Sequence, residues 1–152
     1  MNLPDNIESP TRLILANYRR WLGRDLAGIA GGPEAAMQLF NAPCAVLSAL
    51  GPVASDHAFN YANRTALELF EYSWDELIGK PSSASAEPVH RDERRKLLDE
   101  VGRRGFIENY SGIRIGKNGR RFRIEKATVF NLTDDAGHYL GQAATFSRWE
   151  PA

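Results

Sequence analysis

Cys44 is the only cysteine in the 152-residue chain. A lone cysteine forms no internal disulfide and no thiolate cage for a metal, which excludes disulfide scaffolds and zinc ribbons. No charge of one sign prevails, since 19 Lys and Arg stand against 19 Asp and Glu. That balance argues against a protein that holds nucleic acid or anionic lipid through its overall charge. No apolar run approaches the roughly 18 residues of a membrane span. The opening MNLPDNIESP has neither a basic n-region nor an apolar run, so no signal peptide is expected and the expected location is cytoplasmic. His57, His90 and His138 are far apart, with no second ligand at helical or hairpin spacing, so no metal site is expected. There is no P-loop, no Gly-x-Gly-x-x-Gly and no Gly-x-Ser-x-Gly. Proline is missing between Val89 and Glu150, as a helix followed by paired strands requires.

What is present is globular. Hydrophobic residues make up 43% and charged residues 25%, near the average for soluble domains. The length fits one domain with a core of its own.

Residues 1–8 read as a loose tail, and residues 9–42 as a helical extension before a domain at 43–149. Ser9-Pro10 predicts a helix start, with Ser as N-cap and Pro at the first helical position. Ile14, Tyr18, Trp21, Leu22 and Leu26 then recur at three- and four-residue spacing, the stripe of an amphipathic helix. A short second helix is expected over Glu34 to Phe40. Strands are expected at Ala45 to Leu50 and Ala58 to Tyr61. Asn63 can cap a helix over Thr65 to Phe70, and Ser73 with Glu76 forms a capping box. Pro81 to Val89 reads as a loop, and Arg91 to Arg104 as a charged helix with Leu97, Leu98 and Val101 inward. Beyond residue 105 the period becomes two. Strands are expected at Ile107 to Ile115, Arg120 to Leu132 and Tyr139 to Trp149, with an Asn118-Gly119 hairpin turn between the first pair. The class is α+β: a single antiparallel sheet of about five strands with short helices on one face.

That order is the PAS order, and local motifs agree with it. Phe59-Asn60-Tyr61-Ala62-Asn63 resembles the end of the second PAS strand, and Tyr72 to Lys80 resembles the "GYS-x-EEL-x-GK" segment. Val89 to Arg94 resembles the entry to the long PAS helix, with Arg91 in place of the usual Pro. A narrower resemblance covers roughly residues 11–149 and is to the MEKHLA domain, a PAS-like family. It rests above all on Arg121-Phe122-Arg123-Ile124-Glu125 and Gly141-Gln142-Ala143-Ala144-Thr145-Phe146. The resemblance places the chain with small bacterial proteins and with the C-terminal ends of plant homeodomain–leucine-zipper factors.

The resemblance implies a sensory or regulatory module without catalytic activity. A small, mainly apolar ligand would sit in an enclosed cavity between sheet and helices. Tyr61, Asn63, Phe70, Leu98, Tyr110, Phe122 and Gln142 are its expected contacts. The alternatives are a ligand-free dimerisation module and, less favoured, a small-molecule enzyme using the same cavity. Gly112, Ala143 and Ala144 are expected to leave room in the strands. No cofactor is named. Tyr72-Ser73-Trp74 stands where flavin-binding PAS proteins carry a reactive cysteine, and the helix at 91–104 holds no haem-ligating histidine, so both groups are disfavoured. Cys44 is expected to be a small buried hydrophobe. Arg114, Lys117, Arg120, Arg121, Arg123 and Lys126 form a local basic patch, read as a solvated strand face rather than a nucleic-acid site. Lys126 falls on the face of Phe122 and Ile124 unless a bulge turns it out. Output is expected to pass through an unidentified protein partner or a homodimer, the latter through Ile14, Tyr18, Trp21 and Leu22.

Overall fold

The computed structural model describes residues 2–152. Helix α1 runs over Glu8–Leu22. It starts one residue before the Ser9-Pro10 pair, and its N-cap is Ile7 rather than Ser9. Ile7 lies within the segment expected to be a loose tail, yet it is only 1% exposed. Its carbonyl accepts from both the Thr11 amide and the Thr11 hydroxyl. Burial of this apolar anchor brings the helix start forward. Gly23, with a left-handed φ of 72°, closes the helix by donating to the Arg19 carbonyl.

After α2 (Ala35–Phe40) come strands β1 (Ala45–Leu50) and β2 (Ala58–Ala62). Asn63 caps α3 (Arg64–Phe70), and the Ser73–Glu76 capping box opens α4 (Trp74–Leu77). The stretch expected to be a loop carries a 3-10 turn at Ser82–Ser85, and α5 begins at Pro88 and runs to Arg104. Its φ suits Pro to the first helical turn. Strands β3 (Phe106–Ile115), β4 (Arg121–Thr133) and β5 (Tyr139–Phe146) follow. The third long strand does not continue unbroken to Trp149. It interrupts at Ser147 and resumes as β6 (Arg148–Pro151).

The sheet order is β2-β1-β5-β4-β3, all neighbours antiparallel. β5 pairs the second half of β4, from Thr128 to Thr133, and β6 pairs its first half, from Phe122 to Glu125. Two bulges offset each other along the β3–β4 ladder. Tyr110 faces Ala127, but Ile107 faces Val129 and Gly112 faces Ile124. The extra residues include Asn109 and Lys126, both at positive φ. The bulge turns Lys126 out to solvent and inverts the alternation: Phe122 and Ile124 are buried before it, Ala127 and Val129 after it.

Adjacent residues on a strand point to opposite faces. Val129 packs with Leu97 and Val101 of α5, whereas the next residue, Phe130, meets the Tyr18 ring edge-on at 5.5 Å. α5 and α1 therefore cover opposite sides of β4. α1 is also tied to that strand by polar contacts. Asn17 exchanges hydrogen bonds with the Thr133 backbone, and the Trp21 indole donates to the Asn131 carbonyl at 2.9 Å. Two of the four residues expected to carry a dimer are thus packed within the chain. Ile14 and Tyr18 are 0% and 8% exposed within a single chain, and Trp21 and Leu22 are half-buried. Ile14 and Tyr18 are the part of the stripe committed to the chain's own sheet.

Candidate functional site

On the α5 side the sheet is not filled. A cavity of about 380 Å³ lies between β1, β3, β4 and β5 on one side and α5 with the β1–β2 and 3-10 segments on the other. That volume suits a small molecule. Its floor is apolar, with Phe59, Ile124, Val129 and Phe146 from the strands, and Phe70 and Leu97 from the helices add apolar walls. Its rim includes Arg103 and Val53, both exposed, so the cavity opens to solvent instead of being sealed.

Polar anchors hold α5 above the gap. Asn131 and Gln142 face each other across β4 and β5. Gln142 donates to the Leu98 carbonyl at 2.9 Å and to Asn131 Oδ1, and Asn131 donates to the Gly102 carbonyl. The C-terminal half of α5 is thereby pinned to the sheet. Its N-terminal half carries Arg94 into the cavity wall.

Four of the expected contacts, Phe70, Leu98, Tyr110 and Gln142, line the cavity, and three do not. Asn63 is fully engaged elsewhere. Its Oδ1 accepts from the Val46 and Ala66 amides, and its Nδ2 donates to the Leu39 and Cys44 carbonyls. It splices β1 to α3 and has no capacity left for a ligand. Tyr61 is buried away from the cavity against the edge of Trp74, and burial pushes its hydroxyl well above the usual tyrosine range. Phe122 packs edge-on against Phe70 at 5.0 Å and so fills space rather than bordering it. The room expected beside Gly112 is likewise taken. A Cβ there would come within 2.2 Å of the Tyr110 hydroxyl, so glycine lets that ring fold back along its own strand.

The cavity also contains polar residues that the sequence reading did not single out. Arg94 and Arg114 are both 7% exposed. Arg94 donates to the Ser82 hydroxyl at 2.6 Å. Arg114 donates to the Ile113 carbonyl and to the Tyr110 hydroxyl, and its guanidinium lies 5.5 Å from that ring's centre. The Tyr110 hydroxyl in turn donates to Glu93 at 3.0 Å. Burial, then the charge of Arg114, lowers Arg94 to about 10. The sequence places Arg114 in the solvated basic patch, and its burial corrects that expectation. Its parity with Tyr110 along β3, and the place of Arg94 three residues before Leu97 on α5, were the signals that both point inward. Others in the patch are solvated: Lys117 pairs with Glu76, and Arg121 pairs with Glu87 at 2.7 Å.

His57 and Tyr139 close another part of the wall. His57 Nδ1 lies 3.0 Å from the Ser55 carbonyl, which can only accept, so Nδ1 carries the proton. Nε2 then accepts from the Tyr139 hydroxyl at 2.7 Å. Burial holds the imidazole below its ordinary value and pushes the Tyr139 hydroxyl up to about 12. His90 lies within α5, and exposed His138 contacts Asp134. Cys44 is half-buried and lies outside the cavity wall. Among the described residues no cluster of metal-ligating side chains occurs, and no helix is long and apolar enough to cross a membrane.

This architecture has known counterparts. The chain is similar to a PAS domain from Colwellia psychrerythraea, with a TM-score of 0.65 and 14% identity over 78% of this chain and 94% of that one. It is also similar to the photo-excited fungal blue-light photoreceptor Vivid, with a TM-score of 0.59 and 18% identity over 89% of this chain and 94% of that one. At identities this low the structural similarity shows a shared PAS-like fold alone. In sequence it is 28% identical over 160 residues to the homeobox-leucine zipper protein ATHB-9 of Arabidopsis thaliana. That match takes in 98% of this chain but only 18% of the plant protein. The MEKHLA domain matches residues 8–151, nearly the whole length, and the chain belongs to that family.

Proposed function

We propose that the chain is a PAS-like sensory module that binds a small molecule with a substantial apolar body in the cavity under α5 and signals through protein contacts. The cavity itself carries this reading. A closely packed interior leaves few voids larger than a water molecule, and a space of about 380 Å³ with an apolar floor is far beyond that. Because Ile14 and Tyr18 are committed to the sheet, self-association through α1 would rest on the half-exposed Trp21 and Leu22.

Mass spectrometry of protein from its natural host, under native and denaturing conditions, tests the reading. A reproducible non-covalent companion mass is expected. Adding that species should stabilise the fold by mass action, by about 2.7 kcal/mol at a hundredfold excess over Kd, and so raise the melting temperature. Ala144→Leu, which enlarges a side chain of the cavity wall, should abolish the rise without unfolding the chain. A protein that carries no companion and is stabilised by no small molecule would leave the interaction-module reading instead.

A further inference from the structure

Two buried guanidiniums in one cavity wall are an unfinished arrangement. Arg94 comes from α5 and Arg114 from β3. Among the described residues no ion pair reaches either of them. The carboxylates nearby are engaged through intermediaries or elsewhere. Asp56 stands behind Ser82, whose hydroxyl links it to Arg94. Glu93 is reached through the Tyr110 hydroxyl. Asp99, also in the wall, faces Arg95 at 3.9 Å. With Arg95 and Arg103 the wall holds a clear surplus of positive charge, and His57 adds none in its neutral form.

Each guanidinium carries five donor hydrogens. The Nε and Nη1 of Arg94 make no hydrogen bond among the described residues. Buried charge without a partner is costly, and like charges on one wall raise the cost. Such a pair is stabilised by an anion that reaches both. Guanidinium geometry matches a carboxylate through two parallel hydrogen bonds. The floor beneath is apolar, so the rest of the anion must be apolar too.

Taking the cavity as a ligand site, we infer that its occupant is an organic carboxylate with an apolar body, its carboxylate held between Arg94 and Arg114 and its body over Phe59, Ile124 and Phe146. The expected preference is for a fatty or aryl acid over the alcohol or amine of the same skeleton.

Calorimetry with octanoate, 1-octanol and octylamine on the intact chain tests this. Octanoate should bind at least tenfold more tightly than 1-octanol, and octylamine should not bind. Arg94→Met and Arg114→Met should each weaken octanoate at least tenfold and change 1-octanol less than twofold. Without ligand Arg94→Met should melt at or above the parent temperature, since it removes a buried charge that no ion pair reaches. The comparison of octanoate with 1-octanol needs no variant, so it stands even if a substitution prevents folding. Equal binding of acid and alcohol overturns the carboxylate inference and leaves the ligand-binding reading intact. Binding by none of the probes removes both.

Discussion

Asn17 and Arg94 are buried polar side chains on opposite sides of the same sheet, and their surroundings differ. Asn17 is complete. Its amide nitrogen donates to the Leu13 and Thr133 carbonyls, and its oxygen accepts from the Thr133 amide and hydroxyl. Around it Tyr18 packs edge-on against Phe130, and the Trp21 ring lies over Gly105, where a Cβ would come within 2.7 Å. Arg94 has one hydroxyl partner and an open space before it. Completeness around Asn17 suits a contact whose task is stability. Incompleteness on the α5 side suits a surface awaiting another molecule, since proteins keep unfavourable arrangements mainly where function uses them.

Truncation on the two sides should separate them most widely. Ile14 is fully buried between α1 and the sheet, whereas Leu97 borders the cavity. Ile14→Ala should cost towards the top of the range of about 2–5 kcal/mol for such changes, and Leu97→Ala about 2 kcal/mol. At roughly 2–4 °C per kcal/mol the first should lower Tm by ~8–20 °C. Urea unfolding of both variants decides it, and equal losses would mean that the inner side is packed as well as the outer.

A smaller effect is expected at Gly112. An added methyl there collides with the Tyr110 hydroxyl, so Gly112→Ala should destabilise by about 1–3 kcal/mol. Displacing that ring also breaks its links to Glu93 and Arg114. Combining Gly112→Ala with Tyr110→Ala should remove the clash, so the double variant should be more stable than the sum of the single changes predicts. Strict additivity would show that the ring and the glycine are independent.

The difference between the two faces was only half visible in the sequence. Periodicity announced the stripe of Ile14 and Tyr18, but it could not say whether the stripe met a partner or the chain's own sheet. That depended on Asn17 and Thr133, which are distant in sequence. The caps at Asn63 and Ser73 were legible because capping is local. The same strength as a cap removed Asn63 from the site. The bulge at Lys126 was open as an alternative because a cation on an apolar face is a local contradiction. Arg114 was hidden by its company, since a residue in a run of basic side chains reads as solvated. Strand parity with Tyr110 pointed inward, but parity says nothing of the helix packed above. Arg94 and His57 needed the cavity to give them meaning.

The finest test of the comparison is electrostatic. The inner wall keeps His57 neutral, by burial first, with Arg95 and Arg94 nearby adding to the effect and the Ser55 carbonyl opposing it. Its folded value therefore lies below the roughly 6.5 of the unfolded chain. Above the unfolded value both states hold a neutral imidazole, and the shift has no effect on stability. As pH falls below it the unfolded chain takes up the proton first, so stability is lost with acidification through the folded value. His57→Gln keeps a side chain able to accept from Tyr139 and removes the titration. Urea midpoints at pH 7.5 and 5.5 should fall further in the parent than in the variant. The same slope in both, or a steeper one in the variant, would mean that the inner wall tolerates a further cation beside Arg95 and Arg94, and the contrast with the complete Asn17 contact would lose its electrostatic basis.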